Sequence, residues 1–209
     1  MNTKPLQKVL VWDAPVRAFH WLIVLNFIGA YLTAEHDSWR QLHITFGYTM
    51  AGLVVFRLIW GLIGTRYARF SAFVRGPRQV LDYFRCLLNR QPGNDIGHNP
   101  AGALAIVAML GMTILVTTTG YATYKEFGGE LLEELHEGLA NAMLLVVAVH
   151  IAGVLLSSWM HDENLVRAMI DGQKRGNPKD GIHSAWYSIA LVLILAVLGF
   201  WWMQWRLPI

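Results

Sequence analysis

Long apolar blocks almost free of charge alternate with shorter polar segments along this chain. Five such blocks stand out, at residues 18–33, 44–63, 101–124, 139–159 and 185–205. Each is near the roughly 17–25 residues a membrane-spanning helix needs, the first being the shortest. None alternates apolar and polar residues as a barrel strand does, and only helices or closed barrels satisfy their backbone in lipid. The pattern therefore predicts five spanning helices. The first block follows Lys4 and Lys8, and Leu32-Thr33-Ala34 faintly resembles a cleavage site; we read the block as a retained span. Between the second and third blocks, residues 79–88 have an amphipathic pattern opened by Pro77, which predicts a short helix lying on the membrane surface. No internal repeat, low-complexity tract or separate soluble domain interrupts this plan.

Composition agrees. Charged residues make up 15% of the chain, against about 25% in ordinary soluble domains. Their distribution sets an orientation. With the N-terminus in the cytoplasm, the arm through Arg17, the end of the second span, the 64–100 loop and the 160–184 loop all lie inside. They hold every Lys and Arg except Arg40, Lys125 and Arg206. That is a strong positive-inside bias. The outer face sets those three cations against Glu35, Asp37, Glu126, Glu130, Glu133, Glu134 and Glu137, so it is net negative. Arg66, Arg69, Arg75, Arg78, Arg85 and Arg90 of the long inner loop read as an anchor to anionic lipid. Arginines beside a span already have a reason to be there, so nucleic acid is not an expected partner.

The chemistry lies in the histidines. His136 and His150 are fourteen residues apart on one helix, so they face nearly the same side, about 40° apart, with roughly 21 Å between them along the axis. His20 sits near the inner start of the first span, and His43 at the outer start of the second. The depths therefore pair His20 with His150 inside and His43 with His136 outside, each pair joining two helices, as bis-histidine haem ligation in a bundle requires. Arg17 and Arg40 each precede a histidine by three residues, and Arg57 follows His43 by fourteen. They are candidate partners for anionic haem propionates. The plainer reading is that these arginines snorkel to lipid headgroups. A lone histidine at a helix end, such as His43 or His136, is likewise often only an interfacial residue.

The segment Val11-Trp12-Asp13-Ala14-Pro15-Val16-Arg17-Ala18-Phe19-His20-Trp21 resembles the opening of the superfamily of prokaryotic cytochrome b561 and nickel–iron hydrogenase b-type cytochrome subunits. The resemblance continues through Leu42-His43 with Gly47-Tyr48, Phe56-Arg57-Leu58-Ile59-Trp60-Gly61, Gly97-His98-Asn99-Pro100-Ala101-Gly102, Leu135-His136-Glu137 and Val149-His150. It extends to Ser157-Ser158-Trp159-Met160-His161-Asp162-Glu163-Asn164-Leu165. It implies an all-α polytopic membrane protein of the bacterial cytoplasmic membrane, whose four-helix core holds two b-type haems. His20, His43, His136 and His150 would be the axial ligands. On this reading residues 1–175 form the dihaem domain, and residues 176–209 add a connecting loop and a fifth transmembrane helix outside the common core.

The same resemblance implies electron transfer between membrane quinone and a partner, here expected to be a periplasmic cytochrome c or another redox protein drawn by the acidic outer face. The haems would be non-covalent, because the single cysteine, Cys86, leaves no Cys-x-x-Cys-His. Glu133, Glu134 and Glu137 flank His136 and would favour the ferric state there. His98 precedes a helix-start signal, Asn99 as cap and Pro100 in the first turn; His161 adjoins Asp162 and Glu163. Both lie at the inner interface as candidates for a quinone site, with a structural cap or interfacial hydrogen bond as the plainer reading. His36 and His183 receive no role. Trp186, Trp201, Trp202 and Trp205 read as interfacial belts of the fifth span. One alternative is a superoxide-oxidising quinone reductase that needs no partner protein, although its small anionic substrate calls for a cationic outer funnel rather than an acidic one. A non-redox interaction subunit or transporter would hold no haem at all.

Overall fold

The computed structural model describes residues 7–74, 76–88 and 96–206; Lys4, Arg75 and Arg90 lie outside the described residues. The short strand β1 (Gln7–Leu10) leads into α1 (Ala14–Thr33), and a 3-10 turn at Asp37–Trp39 opens α2 (Arg40–Ile63). Next come α3 (Phe70–Phe73), α4 (Pro77–Leu88), α5 (Pro100–Tyr124) and α6 (Gly129–Met160). The chain closes with α7 (Leu165–Asp171), β2 (Gln173–Gly176), a 3-10 turn at Pro178–Asp180 and α8 (Tyr187–Arg206). Helices α1, α2, α5, α6 and α8 are long and apolar enough to cross a membrane. Their outward side chains remain open, with Leu62 at 73% and Trp159 at 81% exposure, as suits a surface whose solvent is lipid.

Local signals set the helix ends. The Asp13 carboxylate accepts from the Val16 N–H at 2.8 Å, with Pro15 in the first turn of α1. The helix therefore begins four residues before the apolar block and takes in Arg17. Asn99 caps α5 in the same way, accepting from the Gly102 N–H at 2.7 Å. The amphipathic segment opened by Pro77 is α4.

At its start α6 departs from the sequence pattern. The apolar block begins at residue 139, yet the helix begins at Gly129, after a left-handed turn at Gly128 and Gly129 with φ of 73° and 57°. His136 thus lies about two turns inside the helix rather than at its end. The first turns of α6 are polar on their outer side, so hydropathy does not register them.

Helices α1 and α2 form one antiparallel hairpin and α5 and α6 another, with α2 against α5. Helices α1 and α6 are not among the closely packed pairs; a hydrogen bond from the Tyr31 hydroxyl to Asn141 Oδ1 (3.0 Å) joins them. Helix α8 lies against α1 and α2. At one end the Ala14 N–H donates to Ala185 O (2.7 Å); at the other, Gln41 Nε2 donates to Gln204 O (2.8 Å). Trp201 is not a belt residue: its Nε1–H donates to Thr49 Oγ1 (2.9 Å) and its ring meets Phe46 edge-on. Trp186 packs edge-on to Trp60 and is still exposed, as are Trp202 and Trp205.

A cap covers the N-terminal end of the bundle. Strands β1 and β2 pair antiparallel, Gln7 opposite Gly176 and Leu10 opposite Gln173. Val9, Val11, Trp12 and Ala168 form its core, with Tyr67, Ile96 and Met169 packed around them. Helix α7 ends at Gly172 in a left-handed turn (φ 81°), where a Cβ would stand 2.6 Å from the Trp12 carbonyl oxygen. The ribbon was not expected from the sequence, since Gln173-Lys174-Arg175-Gly176 has no strand-like alternation; its pairing comes from the fold.

Candidate functional site

The four predicted histidines lie on α1, α2 and α6. At the end of the bundle far from the N-terminus, the His43 and His136 rings come together, with centroids 6.1 Å apart and planes at 90°. Each ring is anchored by a neighbouring helix. His43 Nδ1–H donates to the Ala30 carbonyl of α1 (2.8 Å), and His136 Nδ1–H to the Val116 carbonyl of α5 (3.0 Å), with Thr119 Oγ1 3.2 Å away. A carbonyl accepts only, so both rings carry their proton on Nδ1 and leave Nε2 with a free lone pair. Metal-ligating histidines are held in this way, the second nitrogen fixed by an outer acceptor.

Space around the pair is kept by glycine. A Cβ on Gly120 would stand 2.8 Å from His136 Cε1, so α5 approaches the ring closely only because that residue is glycine. Gly47, one turn from His43, would meet nothing within 4 Å. Two imidazole nitrogens bound to one metal ion at about 2 Å each need ring centres close to the observed separation. The residues therefore fit a bis-imidazole metal centre at this level.

At the N-terminal end, His20 of α1 and His150 of α6 are within electrostatic reach of each other. Among the described residues, buried His20 Nδ1 has no hydrogen-bond partner, and the same holds for Arg17 Nε, Arg57 Nη1 and His98 Nδ1. Native interiors rarely leave polar atoms unpaired, so these four are the atoms at this end of the bundle that could meet a bound polar group. Arg57 is 2% exposed and lies over the Phe70 ring at 4.8 Å. Arg17 instead sends Nη1 to the Ile170 carbonyl at 2.5 Å, tying α1 to α7, and Trp21 Nε1 donates to Met169 O at 3.1 Å. Arg40 is exposed at the first residue of α2.

His98 and His161 diverge. The His98 ring is held between Trp12 (4.4 Å) and Phe73 (4.6 Å). Burial, then the nearby Arg57, Lys174 and His150, push its pKa down to about 3, so the imidazole is neutral. His161 ends α6, its Nδ1–H donating to Ser157 O at 2.9 Å. Its neighbour Glu163 is occupied, pairing with Lys174 Nζ at 3.1 Å and accepting from the Arg175 N–H at 3.1 Å.

Asp13 is the residue that reasoning from the histidines passed over. It is 1% exposed, and its second oxygen accepts from Trp60 Nε1 (3.1 Å) and Thr65 Oγ1 (2.6 Å). One carboxylate thus caps α1 and ties it to the C-terminal end of α2. Its sequence signal was an Asp immediately before Ala14-Pro15, a helix-start signature.

Comparison with known proteins follows the same lines. The family model described as prokaryotic cytochrome b561 matches residues 11–172. The probable Ni/Fe-hydrogenase 1 B-type cytochrome subunit of Escherichia coli (strain K12) is 25% identical, over 78% of this chain and 89% of that one. A probable Ni/Fe-hydrogenase B-type cytochrome subunit of Bradyrhizobium diazoefficiens is 25% identical, over 80% of this chain and 86% of its own length. One from Azotobacter vinelandii is 30% identical over 56% and 60%. No solved structure matches.

Proposed function

The chain belongs to the prokaryotic cytochrome b561 family, and from that premise we propose that it is a two-haem b-type cytochrome of the bacterial cytoplasmic membrane. Its N-terminus faces the cytoplasm, and it passes electrons between membrane quinone and a redox partner on the periplasmic face. The observation that carries this reading is the His43–His136 pair, two rings 6.1 Å apart whose Nδ1 protons are both engaged by backbone carbonyls. His43 and His136 hold the outer haem b, and His20 and His150 the inner one. Arg40 serves the outer propionates, and Arg17 and Arg57 the inner ones.

Haem b with both axial positions filled by imidazole supplies reversible one-electron iron chemistry without an open site for oxygen. The chain supplies the rest. Ala30 and Val116 fix the tautomer and raise the basicity of each outer ring. Glu133, Glu134 and Glu137 are exposed around His136 and favour the oxidised outer site, as far as water does not screen them. Quinone reacts at the N-terminal end near His161, whose anchored Nδ1 leaves Nε2 to exchange a proton. The names of the relatives make a nickel–iron hydrogenase the first partner to test. The acidic outer face favours a basic docking surface on any partner.

Redox titration of the purified protein, with haem quantified against polypeptide, tests the reading. Two b-type components are expected; a single haem or none sinks it. Gly120→Ala should perturb only the outer component, because the new Cβ presses on the His136 ring. Its low-spin resonance and potential are expected to shift while the inner component is unchanged. The superoxide alternative is checked by stopped-flow mixing: haem reduction by superoxide should be slow, and rapid reduction would replace the partner-dependent reading.

A further inference from the structure

The inner site holds a buried pair of side chains, each with an unpartnered nitrogen, that the four histidine ligands do not account for. Arg57 comes from α2 and His98 from the segment before α5, and both pack on one ring: Phe73 is 4.6 Å from His98 and 6.0 Å from the Arg57 guanidinium carbon. Arg57 Nη1 and His98 Nδ1 are both buried without a hydrogen-bond partner among the described residues. Asp13, the nearby buried carboxylate, already serves Val16, Trp60 and Thr65. Lys174 is engaged by Glu163. The Phe70 ring under Arg57 offers its π-face but no hydrogen-bond acceptor of ordinary strength. A buried guanidinium with an open N–H is costly, and a single carboxylate can accept from two such donors at once.

We propose that Arg57 and His98 together bind one carboxylate, a propionate of the inner haem, and that His98 is a positioning residue for that haem rather than part of a quinone site. The assignment rests on the two-haem reading above. It explains why His98 is held rigidly between Trp12 and Phe73: two rings fix the direction of its Nδ1. It also explains why cations gather around a neutral histidine, since a propionate supplies the missing negative charge. In this arrangement the cap built on β1, β2 and α7 is part of the cofactor seat, because Trp12 belongs to the core of that cap.

The test uses His98→Phe and His98→Gln in the full chain, purified with haem, with redox titration as the readout. Losing the donor leaves the propionate charge more strongly felt at the iron. His98→Phe is therefore expected to favour ferric over ferrous inner haem about tenfold, about 59 mV for one electron, with the outer component unmoved. His98→Gln, which keeps a donor, should recover part of the shift. An unchanged inner potential in both variants, with both haems bound, overturns the proposal. Slower quinone reduction at unchanged potential does the same and returns His98 to the quinone site. A shift present in phosphatidylglycerol nanodiscs but absent in phosphatidylcholine would assign the donors to a lipid phosphate, also overturning it. Failure of the underlying reading looks different: the parent chain itself would bind fewer than two haems.

Discussion

Replacing His136 with alanine is expected to halve the haem content, from two per chain to one, and to abolish electron transfer across the membrane. The ring has one role by geometry: Nδ1 is spent on the Val116 carbonyl, and the ring stands 6.1 Å from that of His43. Outer acceptors of this kind alone change metal affinity by about 10–100-fold, so removing the ligand itself should empty the outer site. Pyridine haemochrome assay and redox titration of the purified variant check this. His43→Ala should give the same single-component protein, its potential matching the inner component of the parent. If either variant loses both components together, the depth pairing fails. If either keeps both, the ligands are wrong.

Asp13→Ala should cost about 2–4 kcal/mol, from a lost helix cap together with buried donors left unpaired. The carboxylate caps α1, holds Trp60 and Thr65 of the α2 end, and is the acidic group that acts on buried Arg57. The lost cap alone accounts for about 1 kcal/mol. The remainder comes from the Trp60 and Thr65 donors left unpaired. Asp13→Asn keeps one oxygen for Val16 but turns an amide nitrogen, a donor, toward the Trp60 and Thr65 donors, so it should spare the cap and lose the tie to α2. Thermal unfolding of both variants in the same detergent measures the difference. A loss of only about 1 kcal/mol in Asp13→Ala, with none in Asp13→Asn, would mean that Asp13 is a helix cap and nothing more.

The spans were legible because a lipid-facing helix needs an uninterrupted apolar run, and nothing else in a chain produces one. Capping was legible at α5, where Asn99 and Pro100 are local signals for a local structure. The start of α6 was not, because Glu130, Glu133, Glu134 and Glu137 make its first turns polar while leaving them helical. The approach of His43 to His136 could be expected from spacing on rigid helices. Their anchors could not: Ala30 and Val116 contribute backbone carbonyls, and a carbonyl carries no mark in the amino-acid sequence.

The deeper division is between what neighbours along the chain decide and what distant segments decide. Apolar runs, caps and the fourteen-residue spacing of His136 and His150 are set within single helices, so the amino-acid sequence alone determined five spans and two levels of histidine. Tertiary structure alone decided that Gly120 leaves room for a ring on another helix, that α8 backs onto α1 and α2, and that Trp12 and Phe73 grip His98 beside Arg57. Those contacts join residues far apart in the chain, and hydrogen bonding and packing between them depend on where the helices come to rest.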